Sequence, residues 1–567
     1  MADPKTGDTL TIAIAQLNPL VGDLDGNVDK IREARGQAGA RSADLVVATE
    51  LVVSGYPPED LVLKPSFVAA VASRIDTLAA ETSDGGPGLI VGAPWQEGGA
   101  AHPGRPYNAI LLLDGGKIAA VGEKAELPNY GVFDEARVFR PGIPADPVPF
   151  RGITLGLCIC EDIWVPGICA DLKARGAELL VVINASPFEH DKPGQRRAIA
   201  ADRVRETGLP ILYVNQVGGQ DELVFDGGSF VLNRDGKLAV AAPSFVENIA
   251  LSTWARGPDG ALVCTQGDIA PAPEGLPAMY DAMILGLHDY VAKNGFPGVV
   301  LGLSGGIDSA LTAVVAVDAL GPASVRAVFM PSPFTSPESL EDATECAKRL
   351  GIRLDTMAID PAMAAFDGML QTGLGEAPAG VTAENIQARS RGLALMAVSN
   401  QTGAMLLTTG NKSEMSVGYA TIYGDMNGGF SVLKDIYKTD VFALARWRNE
   451  ALPDLFFDVE STVPTPIPQR IIDKPPSAEL RPGQKDEDSL PPYDELDRML
   501  KALIEEDMGV EDLIARGHDA KEAAGIWRML ELAEYKRRQA PPGVKITARA
   551  FGRDRRYPIT NAYRTRP

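Results

Sequence analysis

Short apolar runs of strand length recur through the first half of the chain. They lie at residues 9–17, 44–52, 88–95, 152–160, 178–186 and 210–218. Glycine turns within "AILLLDGGKIAAVG" and "SFVLNRDGKLAVAAP" predict two hairpins, and stretches such as "GNVDKIREARGQAGA" predict helices between the runs. The pattern therefore predicts an α/β domain over residues 1–265.

A proline-rich stretch separates this domain from a second one. Residues 266–277 contain three prolines and are interpreted as a linker. The helical pattern "AMYDAMILGLHDYVAKNG" then opens a second α/β domain over residues 278–543. Within it, residues 461–493 are rich in proline and charge, and we expect a long mobile loop there.

The composition is that of an ordinary globular protein with an acidic bias. Hydrophobic residues make up 45% of the chain, charged residues 23%, and the formal net charge is −21. This charge argues against a nucleic-acid partner, because phosphate contacts need a basic face. The five cysteines, which lack paired spacing, fit a reducing cytoplasm. No apolar run approaches the roughly 20 residues that span a membrane.

The stretch "GVVLGLSGGIDS" at residues 298–309 has the pattern of an anion-binding loop. An apolar strand ends at small residues, and a helical pattern follows, so unpaired backbone N–H groups and the helix dipole face one point. The Lys-Ser/Thr ending of the common phosphate loop is missing. Read alone, the stretch is also compatible with an ordinary strand–helix turn.

Three residues of the first domain have the chemistry of covalent catalysis. Glu50 follows the strand "LVVAT", Lys124 lies in "GEKAELPNYGVFDE", and Cys160 ends the strand in "CICEDIW". A thiol attacks a carbonyl once a base removes its proton, and a cation stabilises the resulting oxyanion. The alternative is a core cysteine with two surface charges. A zinc site is disfavoured, because four ligands are not close in sequence.

The motifs together resemble one family. "TELVVSGYPPEDL", "KAELPNYGVFDEARVF" and "CICEDIW" resemble the signature regions of nitrilase-superfamily glutaminase domains, and "SGGIDS" resembles the pyrophosphatase loop of N-type ATP pyrophosphatases. Their order, over about residues 8 to 540, resembles that of the glutamine-dependent NAD+ synthetases. Thr49 replaces the family's usual proline, and Val52-Val53 its Leu-Thr. The resemblance implies a nitrilase-like αββα sandwich followed by a doubly wound parallel-sheet ATP-pyrophosphatase domain.

The resemblance also implies a glutaminase site. Glu50 would be the general base, Lys124 would support the oxyanion, and Cys160 would form a thioester with glutamine. The glutamine-binding positions would be Tyr130, Ser186 and Lys192. Lys192 is alternatively a solvated loop lysine. We interpret Glu161 and Asp162 as structural, organising Lys124 or the loop backbone.

In the second domain, the resemblance implies a nucleotide site. The ATP-binding residues would be Gly302, Leu303, Ser304, Gly305, Gly306, Ile307, Asp308, Ser309, Thr409 and Lys438. The residues binding deamido-NAD+ would be Asn385, Arg389, Glu414 and Lys536. Asp308 and Glu414 would hold Mg2+. Without the resemblance, Glu414 reads as a helix N-terminal charge and Arg389 as part of a solvated helix face.

The implied reaction is the final step of NAD+ biosynthesis. ATP would adenylate the nicotinate carboxylate of deamido-NAD+, and ammonia from glutamine would reach the acyl-adenylate through a tunnel. The products would be NAD+, AMP, pyrophosphate and glutamate. The family implies a homodimer through the synthetase domain or a larger homo-oligomer such as an octamer.

Other functions use some of the same motifs. A GMP or asparagine synthetase shares the ATP loop, but the former has a different nucleophile motif and the latter needs Cys where this chain has Ala2. A plain amidase does not need "SGGIDS", and a tRNA-modifying pyrophosphatase is disfavoured by the charge. An inactive nucleotide-binding scaffold is a further alternative. The basic tail at residues 544–567 is either solvated or docked on a neighbouring subunit.

Overall fold

The computed structural model describes residues 9–96, 104–455, 457 and 463–563. The chain forms two compact units, Met1–Pro273 and Glu274–Pro567, and the division lies within the proposed linker. The ends of the expected domains at residues 1–8 and 564–567, and residues 461–462 at the start of the proline-rich segment, lie outside the described residues. In the described part of the chain, no helix is both long and apolar enough to cross a bilayer.

The first unit alternates short strands with helices along most of its length. Its strands are β1 Thr9–Gln16, β2 Leu45–Val47, β3 Gly88–Trp95, β4 Tyr107–Asp114, β5 Lys117–Glu123, β6 Val148–Phe150, β7 Ile153–Ile159, β8 Leu179–Asn184, β9 Ile211–Asn215, β10 Val217–Gln220, β11 Leu223–Asp226, β12 Phe230–Leu232, β13 Leu238–Ala241, β14 Asn248–Arg256 and β15 Leu262–Gln266. Its helices are α1 Leu24–Ala40, α2 Pro65–Glu81, α3 Glu135–Val138, α4 Ile168–Ala174 and α5 Lys192–Thr207.

Two mixed sheets form the centre of this unit. One has the strand order β15-β14-β1-β2-β3-β4-β5 and the other β13-β12-β9-β8-β7-β6. Their facing sides form one apolar core that includes Ile12, Leu157 and Trp254. Helices α1 and α2 cover the outer face of the first sheet, and α4 and α5 cover that of the second. The unit is therefore the expected αββα sandwich.

In the middle of each sheet the strands are parallel, so the loops that carry polar side chains all follow the carboxyl ends of strands. Strands β1, β2 and β3 are parallel neighbours, as are β7, β8 and β9. Glu50 follows β2, Cys160 follows β7 and Ser186 follows β8. The apolar run at 44–52 is a strand only over its first part, because the chain turns after β2 at Glu50.

The second unit is built on one parallel sheet. Its strands are β16 Val299–Gly302, β17 Val325–Phe329, β18 Arg353–Thr356, β19 Met405–Thr408 and β20 Phe430–Ser431. Its helices are α6 Leu276–Lys293, α7 Ile307–Leu320, α8 Pro337–Leu350, α9 Asp360–Leu374, α10 Val381–Thr402, α11 Lys412–Val417, α12 Lys438–Glu450, α13 Gln469–Asp473, α14 Tyr493–Ile504, α15 Val510–Ala515, α16 Ala520–Leu532 and α17 Glu534–Arg537.

The strand order fixes where a ligand site is expected in this unit. The order is β18-β17-β16-β19-β20, and every pairing is parallel. The chain moves outward on one side from β16 to β18 and on the other side from β19 to β20, so the order reverses between β16 and β19. In open α/β sheets, ligands bind at the carboxyl ends of strands at such a switch point. The loops "SGGIDS" and "TTGNKSE" both start there.

Two expectations about loops need correction. The described part of residues 461–493 contains α13 and a short 3-10 turn, Asp486–Asp488, so it is not an open loop throughout. Arg470 bonds Asp342 on α8 at 2.6 Å, and Glu479 accepts from Ser339 Oγ at 2.7 Å, which explains the local order. The mobility of this segment stays a prediction.

The C-terminal tail differs at several of its residues from the alternative of a solvated segment. Val544, Ile546 and Phe551 are buried, and Phe551 packs in a core formed mainly by α14, α15 and α16. These residues therefore pack within their own chain and are not solvated. Docking of the rest of the tail on a neighbouring subunit stays a prediction. Its apolar residues alternate with basic ones, and the prediction considered only the charge.

Candidate active sites

The first candidate site is built around a fully buried lysine. Lys124 follows β5, and its Nζ lies 2.7 Å from Glu50 Oε1 and 2.8 Å from Glu135 Oε1. Glu50 also accepts from Asn108 Nδ2 at 2.7 Å and from the backbone N–H of Ala185 at 2.9 Å. Burial opposes the charge of Lys124, but Glu135 and Glu50 outweigh it and raise the pKa of the ammonium. The ammonium is thus held charged between two carboxylates.

Glu135 is a site residue that the sequence analysis missed. It lies in α3 within the motif "KAELPNYGVFDEARVF", which returns the chain to Lys124. Its carboxyl accepts from Tyr56 Oη at 2.8 Å as well as from Lys124, and burial raises its pKa.

Cys160 is buried and occupies a tight turn at a strand end. It is the first residue of a 3-10 helix, Cys160–Ile163, directly after β7, and its φ of 44° is unusual for a residue with a side chain. Burial, together with the charge of Glu50, raises the pKa of its thiol, while Lys124 opposes the shift. The resting thiol is therefore protonated at neutral pH and needs a base.

Asp162 connects the cysteine turn to the lysine segment. Its carboxylate accepts from the backbone N–H groups of Ala125 and Glu126 at 3.0 Å each and from that of Ile159 at 3.0 Å. Burial raises its pKa to about 6. These contacts agree with the expected organising role of Asp162, and they couple the position of Lys124 to that of Cys160.

The expected glutamine-binding residues lie at the rim and floor of this site. Tyr130 is half exposed, and its Oη lies 3.1 Å from both carboxylate oxygens of Glu161. Ser186 is buried and its Oγ accepts from Arg196 Nε at 3.0 Å. Lys192 starts α5 with its Nζ 4.7 Å from the centre of the Trp164 ring. It is buried, so the alternative of a solvated loop lysine is wrong.

Gly92 on β3 is expected to be essential for placing Glu50. A Cβ at this position would lie 2.3 Å from the backbone N of Leu51 and 2.8 Å from the carbonyl carbon of Glu50. Gly92→Ala must therefore shift the turn. We expect the glutamine hydrolysis that the sequence resemblance implies to fall about a hundredfold, the effect of displacing a reacting group by about 1 Å. Gly36→Ala on α1 is the matched control, because a Cβ there meets no atom within 4 Å. Equal glutaminase rates in both variants would contradict this placement.

Removing the second carboxylate is expected to weaken the same site. Glu135→Gln leaves Lys124 paired with Glu50 alone, so the ammonium is pulled toward the proposed base. We expect kcat for glutamine hydrolysis to fall about a hundredfold. The rate of NAD+ synthesis with added ammonium in place of glutamine is expected to stay unchanged. The control is Glu126→Gln, an exposed glutamate of the same segment. A loss below threefold for Glu135→Gln would show that Lys124 needs only Glu50.

The second candidate site begins with the loop after β16. Ser304 Oγ lies 3.1 Å from Ser309 Oγ, the N–H of Gly306 donates to Ser304 Oγ at 3.3 Å, and Ser309 Oγ donates to the Gly306 carbonyl at 3.0 Å. Gly302 ends β16, Leu303 is buried, and Ile307 starts α7. A Cβ on Gly305, whose φ is 80°, would lie 2.5 Å from the Ser339 carbonyl oxygen. Only glycine fits this turn.

A lysine and two carboxylates meet beside this loop. Lys438 Nζ, at the start of α12, lies 2.5 Å from Asp308 Oδ2 and 3.0 Å from Glu414 Oε1. Asn411 joins the two loops, because its Nδ2 donates to Asp308 at 2.8 Å and its Oδ1 accepts from the Glu414 N–H. Burial raises the pKa of Glu414 to about 7 against the effect of Lys438. The predicted residues Asp308, Glu414 and Lys438 therefore form one cluster.

The cluster fits a divalent cation that shares its ligands with a substrate. Mg2+ in phosphate-transfer sites is held by one or two carboxylates and completes its shell with phosphates and water. Asp308 and Glu414 supply two such carboxylates. Asp486 was not among the predicted site residues. Its negative charge contributes to the raised pKa of Glu414, and its carboxylate accepts from Tyr493 Oη at 2.9 Å. Among the described residues, no group of three or more potential ligands is arranged to hold a metal by itself.

The other predicted nucleotide residues surround the carboxyl ends of the strands. Thr409 follows β19 and is half-buried. Asn385 and Arg389 on α10 both contact the loop at 421–422, through Thr421 Oγ1 at 3.2 Å and the Ile422 carbonyl at 3.2 Å. Lys536 Nζ donates to the carbonyls of Gly418 and Ala420 at 2.6 Å each. Arg389 is exposed, so its helix face is open to a ligand or to solvent.

Comparisons with known proteins cover both units. A carbon-nitrogen hydrolase family model matches residues 11–256, and an NAD synthase model matches residues 279–540. The glutamine-dependent NAD(+) synthetase of Rhodobacter capsulatus is 48% identical over 558 residues, which are 98% of this chain and 99% of that protein. The corresponding protein of Acinetobacter baylyi is 44% identical, with 98% of each chain covered.

Solved structures agree with these matches. The glutamine-dependent NAD+ synthetase of Acinetobacter baumannii in complex with ADP superposes with a TM-score of 0.76 at 42% identity, covering 98% of this chain and 99% of that one. The Cytophaga hutchinsonii protein, at 21% identity and a TM-score of 0.79, shares the fold, with 98% of both chains covered. The chain therefore belongs to the glutamine-dependent NAD(+) synthetase family.

Proposed function

We propose that the chain makes NAD+ from deamido-NAD+, with ATP as the activating substrate and glutamine as the nitrogen donor. The observation that carries the proposal is the pair of centres on one chain. Lys124 lies between Glu50 and Glu135 in the first unit, and Lys438 lies between Asp308 and Glu414 at the switch point of the second. The proteins of closely similar sequence bear the name of this reaction.

In the first unit, Cys160 is the proposed nucleophile. Its raised thiol pKa means that Glu50 must take the proton as the sulfur attacks the carboxamide carbon of glutamine. The charged Lys124 stabilises the oxyanion of the tetrahedral intermediate. Collapse to the thioester releases ammonia, to which Glu50 returns the proton. Water activated by the same carboxylate then hydrolyses the thioester and releases glutamate.

Tyr130, Ser186 and Lys192 are the proposed glutamine-binding residues. Burial raises the pKa of the Glu161 carboxyl, and Lys192 lies close enough to oppose this shift. Tyr130 contacts Glu161 directly. Glu161 is suited to bind the α-ammonium of an amino acid, and Lys192 and the Tyr130 hydroxyl are suited to bind its α-carboxylate. Burial of Ser186 beside the cysteine turn favours a contact with the part of the substrate nearer the thiol.

In the second unit, the loop 302–309 is proposed to hold the β- and γ-phosphates of ATP. A carboxylate oxygen of deamido-NAD+ attacks the α-phosphorus, and pyrophosphate leaves toward the loop. Ser304 and Ser309 donate their hydroxyls to it, the backbone N–H groups of Gly305 and Gly306 lie against it, and Lys438 neutralises its charge. A magnesium ion held by Asp308 and Glu414 would supply further positive charge when bound. Thr409 is a further proposed ATP contact.

Asn385, Arg389, Glu414 and Lys536 are the proposed deamido-NAD+ residues. Arg389 is exposed on α10 and carries a guanidinium suited to a dinucleotide phosphate. Lys536 is held by two backbone carbonyls, and burial lowers its pKa. A phosphate is a better partner for this ammonium than two carbonyls, which favours a switch of contacts on binding.

We further propose that ammonia passes between the two sites without entering bulk water. Ammonia near pH 7 is mostly protonated in solution and then no longer attacks the acyl-adenylate. A shielded passage keeps it neutral. At equal low concentration, glutamine is therefore expected to support synthesis better than ammonium. Equal rates with both donors would remove the reason for a tunnel.

A homo-oligomer formed through the second unit is also proposed. It is supported by large apolar side chains exposed on α9 and α10, namely Met369, Leu374, Val381 and Leu393. Sedimentation of the wild-type chain would distinguish a monomer from a dimer and from an octamer.

The stoichiometry of the products tests the proposed function. Wild-type protein is incubated with deamido-NAD+, ATP, Mg2+ and glutamine, and NAD+, AMP, pyrophosphate and glutamate are measured. The proposal expects NAD+, AMP and pyrophosphate in equal amounts, with at least as much glutamate. Glutamate without AMP would identify a plain amidase, and ADP in place of AMP would exclude an acyl-adenylate.

A further inference from the structure

Lys412, one residue after Asn411, is fully buried and has four hydrogen-bonding partners. Its Nζ lies 2.8 Å from Asp435 Oδ1, 2.5 Å from Glu505 Oε1, 2.6 Å from Thr547 Oγ1 and 2.9 Å from the Arg549 carbonyl. It also lies 4.8 Å from the centre of the Tyr437 ring. An ammonium can donate three hydrogen bonds, so its donors are fully used by these groups.

Two of these partners belong to the C-terminal arm, defined here as residues 544–555. Asp435 accepts from the backbone N–H groups of Ile546 and Thr547 at 2.8 and 2.7 Å, and from Thr547 Oγ1 at 3.0 Å. Glu505, the residue that follows α14, accepts from the Arg549 N–H at 3.0 Å. The arm therefore closes over Lys412 and is fixed by the same two carboxylates that bind it.

The lysine is directly connected to the Asp308–Lys438–Glu414 cluster. Asn411 precedes it and bonds Asp308, and Glu414 follows it two positions later in the same helix. On the other side, Glu505 accepts from Tyr437 Oη at 3.0 Å, and Tyr437 is the neighbour of Lys438 in sequence. Movement of Lys412 would thus displace both segments that carry the cluster.

Stability alone does not account for a buried network of this kind. Removing an ammonium and two carboxylates from water costs about as much as their attraction returns, and apolar residues of similar size often stabilise a fold equally well. What a directional network adds is a defined position for the backbone that it holds. Here that backbone carries Asn411 and Glu414.

We propose that Lys412 and the C-terminal arm are positioning elements of the adenylation site. The arm holds Lys412, and Lys412 fixes the start of α11 and the Tyr437–Lys438 segment so that Asp308, Glu414 and Lys438 meet. Lys412 acts through these residues and touches neither substrate. The inference rests on the proposed function of the second unit.

A single hydroxyl of the arm allows a mild test. Thr547→Val removes Oγ1 from Lys412 and Asp435 but keeps the backbone hydrogen bonds to Asp435. We expect kcat for ammonium-driven NAD+ synthesis to fall about tenfold, with KM for ATP within threefold, because the cluster is displaced. Glutamine hydrolysis in the first unit is expected to stay unchanged. Thr547→Ser keeps the hydroxyl and is expected to restore kcat to within twofold of wild type.

The matched control is Thr560→Val, an exposed threonine beyond the arm, which is expected to behave as wild type. All rates are taken well below each variant's melting temperature, where a purely structural loss of stability leaves kcat unchanged. If Thr547→Val does not fold, Thr547→Ala serves in the same comparison. A kcat within twofold of wild type for the folded variant would overturn the inference. Wild-type protein that makes no NAD+ with either donor would instead overturn the proposed function.

Discussion

Replacing Cys160 with alanine is expected to abolish glutamine-driven NAD+ synthesis while leaving ammonium-driven synthesis within threefold of wild type. The variant has no sulfur to form the thioester, so no ammonia is released, and the loss with glutamine should exceed about a thousandfold. The second unit carries its own loop, lysine and carboxylates, so added ammonium bypasses the missing step. The measurement is the initial rate of NAD+ formation with each donor.

Cys264→Ala is the control for this experiment, because Cys264 is another buried cysteine of the same unit, located in β15. It should keep both rates. Loss of both rates in Cys160→Ala, with folded protein, would contradict two separate centres. Retention of the glutamine-driven rate would show that another group is the nucleophile.

Replacing Asp308 with asparagine is expected to stop synthesis with both nitrogen donors and to leave glutamine hydrolysis intact. Asparagine keeps the size and one acceptor of the side chain but removes the charge facing Lys438, 2.5 Å away, and one of two proposed metal ligands. Loss of such electrostatic stabilisation costs about a hundredfold to a thousandfold in rate. Lys438 retains Glu414 as a partner, so folding is expected to be preserved.

Asp367→Asn, on the exposed helix α9, is the matched control for charge and residue type. It should leave both activities unchanged. If Asp308→Asn still synthesises NAD+ at more than a tenth of the wild-type rate, the carboxylate is neither a metal ligand nor a partner that Lys438 needs during adenylation.

The layered architecture was predictable because it depends on patterns that are local in sequence. The glycine turn at Gly115–Gly116, with φ values of 60° and 83°, joins β4 to β5 as the hairpin signal indicated. The apolar run before "SGGIDS" became β16, since a buried parallel strand requires apolar residues on both faces. The assembly of these elements into an αββα sandwich and a parallel-sheet domain was predicted from the family resemblance.

Contacts between distant segments were less accessible to sequence reasoning. Glu135 reaches Lys124 only because the loop between them folds back, and nothing in its spacing indicates this. Asp486 lies in a stretch whose proline and charge favoured a loop. The C-terminal tail at residues 544–567 was misjudged because its seven basic residues drew attention from the buried Val544, Ile546 and Phe551. For Glu135 and Asp486, burial of the carboxylate depends on a distant partner, which a single sequence does not identify.

The central claim is that this chain activates a carboxylate by transferring AMP to it. The most direct test uses deamido-NAD+ labelled with 18O in the nicotinate carboxylate, incubated with wild-type protein, ATP, Mg2+ and glutamine. The attacking oxygen becomes the bridge to the α-phosphorus and stays with the phosphate when ammonia displaces it. The account predicts AMP carrying one 18O atom for each NAD+ formed, and unlabelled AMP alongside NAD+ would contradict it.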